Sequence, residues 1–286
     1  MLKIGDVLNM KEIVEKMLKT NNISDFLAIW LENDLLSAKN NAVFNEYYFS
    51  YKKNFGKYIR HYYRRQTKEL MDIIKDNPSL KILEVGCGSG TESLWMALNG
   101  ASVTAIDIID TLLNVAKERQ HIMEAATDRK LLVKFKKQSI LDVESTDQYD
   151  VVWIEQAFHH LEPREMVLEK IKELVRPGGT LIISESNAWN PIISISLLKQ
   201  CGFKRVITRM DEDKVIILGD ERIITPLSLK RKLKKVGFKN IRREYYRVFP
   251  NRKWTNNIKP VRAFLPIPFI YTHYNLIAKR KGETDG

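Results

Sequence analysis

One segment constrains the fold more than any other. The apolar run Lys81–Val85 passes directly into Gly86-Cys-Gly-Ser-Gly90, and a helical pattern follows. Glycine at alternate positions permits positive φ, so the backbone can turn sharply and approach a ligand closely. The amides at the N-terminus of the following helix face the same ligand. The segment therefore predicts a strand, turn and helix that hold a nucleotide-like cofactor.

Short apolar runs alternate with amphipathic segments from Leu80 onward, a pattern typical of βαβ units around a parallel sheet. The predicted strands are Lys81–Val85, Ser102–Asp107, Val133–Lys137, Asp150–Ile154, Thr180–Glu185, Lys239–Phe249 and Tyr271–Lys279. The helices predicted between the first five strands are Thr91–Leu98, Leu112–Ala125 and Arg164–Leu174. Pro177-Gly178-Gly179 supplies a turn before the fifth strand. The sequence thus predicts an α/β protein.

Residues 1–77 are predicted as a helical extension. Ser24 can cap one helix, and Phe55–Ile74 forms a second. The aromatic residues of this extension fit either a packed core or a lid over a site, and both readings stay open. They are Tyr47, Tyr48, Phe49, Tyr51 and Tyr58.

An insertion is predicted after the fifth strand, over residues 188–237, where the regular alternation lapses. It contains the apolar run Pro191–Leu198 and a helix with Leu229, Leu233 and Val236 on one face. The predicted domain organisation is therefore an extension (1–77), a cofactor-binding core (78–187), this insertion, and two strands that complete the core (238–286).

Basic residues exceed acidic ones by 47 to 35, which gives a net charge of +12. Between Lys230 and Arg262 the only acidic residue is Glu244. Such a stretch is compatible with an anionic partner and equally with a solvated face that keeps the protein in solution.

Cysteine usage and hydropathy exclude several classes. Cys87 and Cys201 lie far apart, outside any pattern of metal-ligand spacing, so neither a disulfide framework nor a metal site is predicted. No run approaches the roughly 20 apolar residues of a membrane span, and the first residues lack the apolar stretch of a secretory signal. The expected location is the cytoplasm.

Asp107 ends the second predicted strand, about 20 residues beyond the glycine turn, where a carboxylate can accept both hydroxyl hydrogens of a ribose. The alternative is an aspartate that caps the next helix. The glycine spacing is GxGxG with Thr91 following, so a dinucleotide site, which needs GxGxxG, fits less well.

Four motifs then occur in order: Ile82–Gly90, Ala105-Ile-Asp107, Tyr149–Leu161 and Leu174–Ile183. In this order and at these spacings the chain resembles the class I S-adenosylmethionine-dependent methyltransferases. The resemblance covers about Leu80–Glu185 and resumes in the last two strands. It implies a Rossmann-like, seven-stranded, mostly parallel sheet whose last strand is antiparallel, with S-adenosyl-L-methionine as the cofactor.

The resemblance also implies roles for individual residues. Near the methionine moiety it places Glu84 and the backbone of Gly86, Cys87, Gly88 and Gly90. It gives Asp107 to the ribose and Ile108 to adenine. Ser139 and Ile140 follow the third strand, where the family commonly has an aspartate for the adenine amino group. Glu155, Gln156 and Ala157 fall where the family closes over the cofactor.

An acceptor hydroxyl or amine needs its proton removed, for which histidine is suited near neutral pH. His159 and His160 are candidates for this base, although a histidine after a strand is commonly a packing or capping residue. Glu155 and Glu185, at the ends of neighbouring strands, are the alternatives.

The fold fixes the cofactor rather than the acceptor. The leading hypothesis is methyl transfer to a small molecule, including an apolar, lipid-linked or sugar-linked one. The first alternative is an RNA methyltransferase, motivated by the basic stretch and by Trp254 within it. The second is a non-catalytic, cofactor-binding scaffold at a membrane surface. It is motivated by basic residues beside the apolar segments Ile192–Leu198 and Phe264–Ile270.

Overall fold

The computed structural model describes residues 4–202, 206–211, 214–259 and 267–282. Its α-helices are α1 Ile4–Leu18, α2 Ile23–Glu32, α3 Ala38–Tyr47, α4 Phe49–Lys53, α5 Lys57–Asp76, α6 Thr91–Leu98, α7 Asp110–Thr127, α8 Arg164–Leu174, α9 Pro191–Cys201 and α10 Pro226–Lys235. Its strands are β1 Lys81–Val85, β2 Ser102–Asp107, β3 Val133–Lys137, β4 Tyr149–Glu155, β5 Val175–Ser186, β6 Val206–Asp211, β7 Lys214–Gly219, β8 Phe238–Tyr246 and β9 His273–Arg280.

Seven strands form one sheet in the order β3-β2-β1-β4-β5-β9-β8. The pairs β2–β3, β1–β4 and β4–β5 are parallel, whereas β9 runs antiparallel to both β5 and β8. The predicted Rossmann-like sheet, mostly parallel with its last strand reversed, is therefore confirmed. The central strands are apolar on both faces, as in β4 from Val151 to Ile154, because helices cover both sides of such a sheet.

The chain divides into two compact units. Unit 1 comprises the chain up to Leu80, Cys87–Lys137 and a segment that begins at Asn251. Unit 2 comprises Lys81–Gly86, Gln138–Pro250 and the C-terminal strand. The domain boundaries expected from the sequence remain a prediction.

Unit 1 contains the helical extension. Helix α2 buries Phe26 and Trp30, and α5 buries one face that includes Tyr62 and Leu70. The N-cap of α2 is Asn22, whose side chain accepts from the backbone N–H of Asp25 at 3.1 Å. The prediction of Ser24 as the cap was wrong. Ser24 lies inside the helix and donates its hydroxyl to the Asn22 side chain at 2.7 Å.

The predicted aromatic cluster of unit 1 splits into two groups. Tyr48 and Tyr58 are buried and belong to the core. Tyr47 and Phe49 are exposed, and Tyr51 is half-buried.

The insertion in unit 2 is more regular than the sequence indicated. The apolar run from Pro191 forms α9, and a hairpin of β6 and β7 follows as a separate two-stranded sheet. In α10, Thr225 is the N-cap, and Leu229 and Leu233 are buried as the pattern predicted.

Strand β5 begins at Val175, five residues earlier than predicted, so Pro177-Gly178-Gly179 lies within the span of the strand. The register with β4 pairs Tyr149 with Val175 and then shifts to Val151 with Thr180. An irregularity in the pairing therefore accommodates the residues that the sequence assigned to a turn.

No helix among the described residues is long and apolar enough to cross a membrane. Of the predicted basic and apolar stretches, Arg262 and residues 264–266 lie outside the described part of the chain.

Candidate functional site

The glycine turn after β1 depends on glycine for two reasons. Gly86, Gly88 and Gly90 have φ of 74°, 51° and 76°, a region that side-chain-bearing residues rarely adopt. Space is also lacking, because a Cβ on Gly90 would lie 2.8 Å from the ring of Phe135 and 2.9 Å from the Cβ of Ala116. Both the backbone conformation and the close packing therefore require glycine in this turn.

Tyr47, from the helical extension, lies against this turn. A Cβ on Gly88 would overlap the hydroxyl of Tyr47, so the phenol is in direct contact with the glycine backbone. The ring of Tyr47 packs edge-on against Tyr48, with centroids 4.8 Å apart. A half-exposed aromatic side chain therefore borders the glycine turn within unit 1.

Asp107 holds the turn and does not cap the next helix, because the N-cap of α7 is Ile109 and this helix has no side-chain cap. One carboxylate oxygen accepts from the backbone N–H of Ile109 at 2.9 Å, beside the start of α7. The other accepts from the N–H of Gly88 at 2.8 Å. These two bonds hold both carboxylate oxygens beside the glycine turn and the residues that lead into α7.

Behind the turn lies a buried charged network that the sequence analysis missed. Arg119 of α7 is fully buried and donates to the carbonyl of Ser89 at 2.8 Å and to the hydroxyl of Thr91 at 2.7 Å. The hydroxyls of Thr91 and Tyr48 are 2.6 Å apart. Tyr63 donates to the carboxylate of Glu92, which is also buried.

The guanidinium of Arg119 also lies against rings of the helical extension. Its central carbon is 4.6 Å from the ring centroid of Trp30 and 5.2 Å from that of Phe44. The sequence does carry a signal for this residue, because Arg119 falls on the same helical face as the buried Ala116 and Ile122 of α7. An arginine on an apolar face indicates a paired, buried charge.

Burial dominates the protonation of this network. It raises the pKa of Glu92, partly offset by the hydrogen bond from Tyr63 and by the charge of Arg119. Burial likewise raises the pKa of Tyr48 and Tyr63, with the nearby Glu92 adding to both. Burial lowers the pKa of Arg119, and its neighbours Tyr48, Tyr63 and Glu92 oppose this shift.

Unit 2 brings together three of the predicted cofactor residues. A Cβ on Gly86 would overlap that of Ala157, so these two residues are in contact. Gln156 has φ of 45°, and its side-chain oxygen accepts from Ser186 at 3.0 Å. Its amide nitrogen is buried and has no hydrogen-bond partner among the described residues.

The other predicted cofactor residues lie at strand ends or in the turns that follow. Glu84 of β1 and Cys87 are buried, Ile108 is half-buried, and Glu155 ends β4. After β3, the Ser139 hydroxyl caps a 3-10 turn by accepting from Leu141, and Ile140 is buried in that turn.

Two of the four candidate bases are joined by a hydrogen bond. His159 and His160 lie in a 3-10 turn after β4, Phe158–His160. The Nδ1 of His159 is 2.9 Å from a carboxylate oxygen of Glu185, which is fully buried. The Nδ1 of His160 is 2.8 Å from the carbonyl of Gly219. Because carboxylates and carbonyls accept, each Nδ1 carries a proton and donates it, so Nε2 is the ring nitrogen left for other contacts.

Glu221, which the sequence analysis did not identify, completes this group. Its carboxylate oxygens are 3.6 Å from the Nε2 of His159 and 4.0 Å from the Nε2 of His160. Its backbone has φ of 48°, an uncommon conformation for glutamate. We call His159, His160 and Glu221 the histidine cluster. No motif near Glu221 indicates it, because the hairpin that leads to it was not predicted.

Burial would lower the pKa of His159, but the neighbouring carboxylates outweigh it and the net shift is upward. Glu185 contributes most to the rise, followed by Glu221 and Glu155. Glu155 is therefore close enough to His159 to act on its charge.

A sequence-family model described as a methyltransferase domain matches residues 83–183, which span the glycine turn, Asp107 and both histidines. The matched residues are therefore identified as a methyltransferase domain. The matched motifs, from β1 to β5, are those on which the resemblance was based.

Curated relatives of the methyltransferase domain include ubiquinone biosynthesis O-methyltransferases. The one from Xanthomonas campestris is 35% identical over 112 residues, or 38% of this chain and 44% of the relative. The one from Rickettsia bellii is 31% identical over 112 residues, with 39% and 44% covered. The chain thus matches less than half of the length of these relatives.

Solved structures share the fold of the methyltransferase domain. A SAM-dependent methyltransferase from Archaeoglobus fulgidus aligns with a TM-score of 0.55 at 16% identity, covering 82% of this chain and 99% of that one. Magnesium protoporphyrin IX methyltransferase from Synechocystis, with bound SAH, aligns with a TM-score of 0.52 at 16% identity, covering 85% and 95%.

Proposed function

We propose that this protein transfers a methyl group from S-adenosylmethionine to a hydroxyl oxygen of a small-molecule acceptor. The observation that carries the proposal is the glycine turn with the Asp107 carboxylate hydrogen-bonded to it, inside a methyltransferase domain. The cofactor supplies a methyl group that its sulfonium already activates. The protein therefore has to hold the cofactor, align the acceptor and exclude water.

The residues of each unit fit the cofactor. In unit 1, Gly88 and Gly90 form a tight turn in which no side chain has room, and Asp107 holds its carboxylate against the same turn. In unit 2, the buried amide nitrogen of Gln156 is a donor that still requires an acceptor. We infer a cofactor-binding role for these residues of each unit and for the other predicted residues near the turns.

The histidine cluster is the part of unit 2 best suited to meet the acceptor. The lone pairs on the Nε2 atoms of His159 and His160 can accept hydrogen from a hydroxyl. Glu185, a candidate base, already accepts from the ring and the backbone N–H of His159. We therefore assign it the role of orienting His159, and Glu155 remains an alternative base.

We further infer that the acceptor is apolar. The named relatives belong to ubiquinone biosynthesis, and α9, which follows β5 closely, leaves Ile192 and Ile195 at 74% and 54% exposure. Phe269 is 56% exposed, and its carbonyl accepts from Asn190, the N-cap of α9. Exposed apolar side chains gathered at one place are typical of contact with an apolar ligand or a membrane surface.

Neither alternative from the sequence gains support. The relatives named above are small-molecule O-methyltransferases, and nothing in the geometry favours RNA or a non-catalytic role. Trp254, the residue that motivated RNA binding, is 54% exposed, which is compatible with stacking but does not require it.

Cofactor binding tests the first half of the proposal. We expect Asp107→Ala to weaken binding of S-adenosylhomocysteine by at least about tenfold in calorimetry, ~1.4 kcal/mol, because the ribose acceptor is lost and the Gly88 amide is released. Asp110→Ala, an exposed aspartate in the first turn of α7, is the matched control. Equal affinities for both variants and the wild type would contradict the ribose assignment.

Product identification tests the second half. The protein is incubated with methyl-labelled cofactor and an extract fractionated into polar metabolites, lipids and RNA. We expect label in a methyl ether of an apolar compound. Label confined to RNA, or no label in any fraction despite cofactor binding, would contradict the proposed acceptor.

A further inference from the structure

The histidine cluster brings together three side chains with the donor atoms of a metal site. One ligand atom from each of His159, His160 and Glu221 lies within 4.8 Å of the other two. Two imidazole nitrogens with one carboxylate oxygen form a donor set typical of Zn²⁺ and neighbouring divalent transition metals. The two histidines lie in the 3-10 turn after β4, and Glu221 lies two residues after the end of β7.

The hydrogen bonds at the far side of each ring fix which nitrogen is available. Nδ1 of His160 must donate to the carbonyl of Gly219, and Nδ1 of His159 donates to Glu185. The Nε2 atoms of His159 and His160 then lie on the side of Glu221, 3.6 Å and 4.0 Å from its carboxylate oxygens. Two ring nitrogens beside one carboxylate offer a cation three donor atoms.

The surroundings of the histidine cluster have the features of a built site. A buried carboxylate that accepts from the non-ligating nitrogen of a histidine is the usual support for a metal-bound histidine, and Glu185 is fully buried in this position. A Cβ on Gly219 would overlap the carbonyl of His159, so the end of β7 is pressed against the turn that carries the histidines. An isolated bridge between Leu161 and Leu218 joins the same two segments.

Access and charge also suit an ion. The side chains of His160 and Glu221 are 45% and 33% exposed, so an ion can reach them from solvent. Ligands of one Zn²⁺ at ~2.0–2.2 Å stand about 3.3 Å apart, close to the 3.6 Å between His159 and Glu221. Glu155 and Glu185 add negative charge around His159 in a chain whose net charge is +12.

We propose that His159, His160 and Glu221 bind one divalent transition-metal ion, with Glu185 as the residue that positions His159. Three protein ligands leave at least one coordination position open, as in sites that bind a substrate oxygen. The inference does not rest on methyl transfer. If the proposed function also holds, the ion takes the place of a histidine lone pair in contact with the acceptor hydroxyl.

The test uses the full chain without an affinity tag, stripped with a chelator and titrated with Zn²⁺ and separately with Co²⁺. We expect one ion per chain in calorimetry and visible absorption bands from Co²⁺ in a site of four or five ligands. His160→Ala and Glu221→Gln each lower the affinity at least about tenfold. His121→Ala, at an exposed histidine of α7, leaves it unchanged.

Glu185→Gln separates a positioning role from a purely structural one. We expect it to weaken Zn²⁺ binding by about 10- to 100-fold and to change the Co²⁺ spectrum. Urea unfolding of the same variant shows whether the fold is retained. Absence of stoichiometric binding, or equal affinity in the wild type, His160→Ala and Glu221→Gln, would overturn the metal site. Binding of S-adenosylhomocysteine, measured on the stripped protein, reports on the cofactor site separately.

Discussion

The glycine turn of unit 1 and the histidine cluster of unit 2 are built on opposite principles. The turn is a tightly packed stretch of backbone that the fully buried Arg119 supports, with the buried Glu92 nearby. The cluster consists of side chains, two of which are partly exposed. Substitutions at the turn and its support should therefore lower the stability of the fold. Substitutions in the histidine cluster should mainly affect ligand binding.

The two regions should therefore respond differently to substitution. A buried charge that loses a partner destabilises the fold, because water cannot replace the lost contact. An exposed ligand that loses its donor atom is simply hydrated, so only binding is affected. Three variants of the turn and its supporting residues test this difference.

The largest expected effect is that of Arg119→Met. Methionine keeps much of the volume but leaves Ser89, Thr91 and Glu92 without their cation. We expect the free energy of unfolding to fall by about 3–5 kcal/mol, the usual result of removing one partner from a buried charged group. Urea unfolding measures the change. Arg129→Met, at an exposed arginine just after α7, serves as the control. If Arg119→Met loses no more stability than the control, the network does not support the turn.

Gly90→Ala is expected to destabilise less. Gly90 and Gly178 have similar φ, 76° and 74°, but only at Gly90 would a Cβ meet neighbours within 4 Å. Backbone strain should lower the free energy of unfolding by about 1–3 kcal/mol in both alanine variants. Overpacking against Phe135 and Ala116 should add about 1–3 kcal/mol in Gly90→Ala alone. Thermal unfolding and S-adenosylhomocysteine binding of the pair give the measurement, and an equal loss in both variants would refute the steric part.

The smallest expected effect is a pH dependence from Glu92. Burial raises the pKa of its carboxyl, so the folded protein holds this proton more tightly than the unfolded chain does. The resulting stability is fully present below the unfolded pKa and is lost as pH rises through the folded pKa. Relative to Glu92→Gln, the wild type should therefore lose stability as pH rises from about 4 to 7. Parallel urea titrations across that range check the slope, and a constant difference would show that Glu92 keeps its ordinary pKa.

Local patterns in the sequence predicted the sheet and the glycine turn correctly and placed Asp107 at the end of β2. Strand and turn signals are local, since hydrophobic runs and glycines act within a few residues of one another. The order of four motifs then determined the methyltransferase domain. The same local patterns misplaced the cap of α2 and the start of β5, because an N-cap and a shift in strand register depend on neighbours that a pattern does not include.

Only the tertiary structure decided which side chains meet. Arg119 and Tyr48 are 71 positions apart in the sequence, and His159 and Glu221 are 62 apart. In the structure the side chains of each pair nevertheless lie close enough to interact. Their meeting depends on helix packing in one unit and on a hairpin pressed against a turn in the other. Such long-range contacts arise from burial and packing, which act between surfaces and leave no periodic trace along the chain.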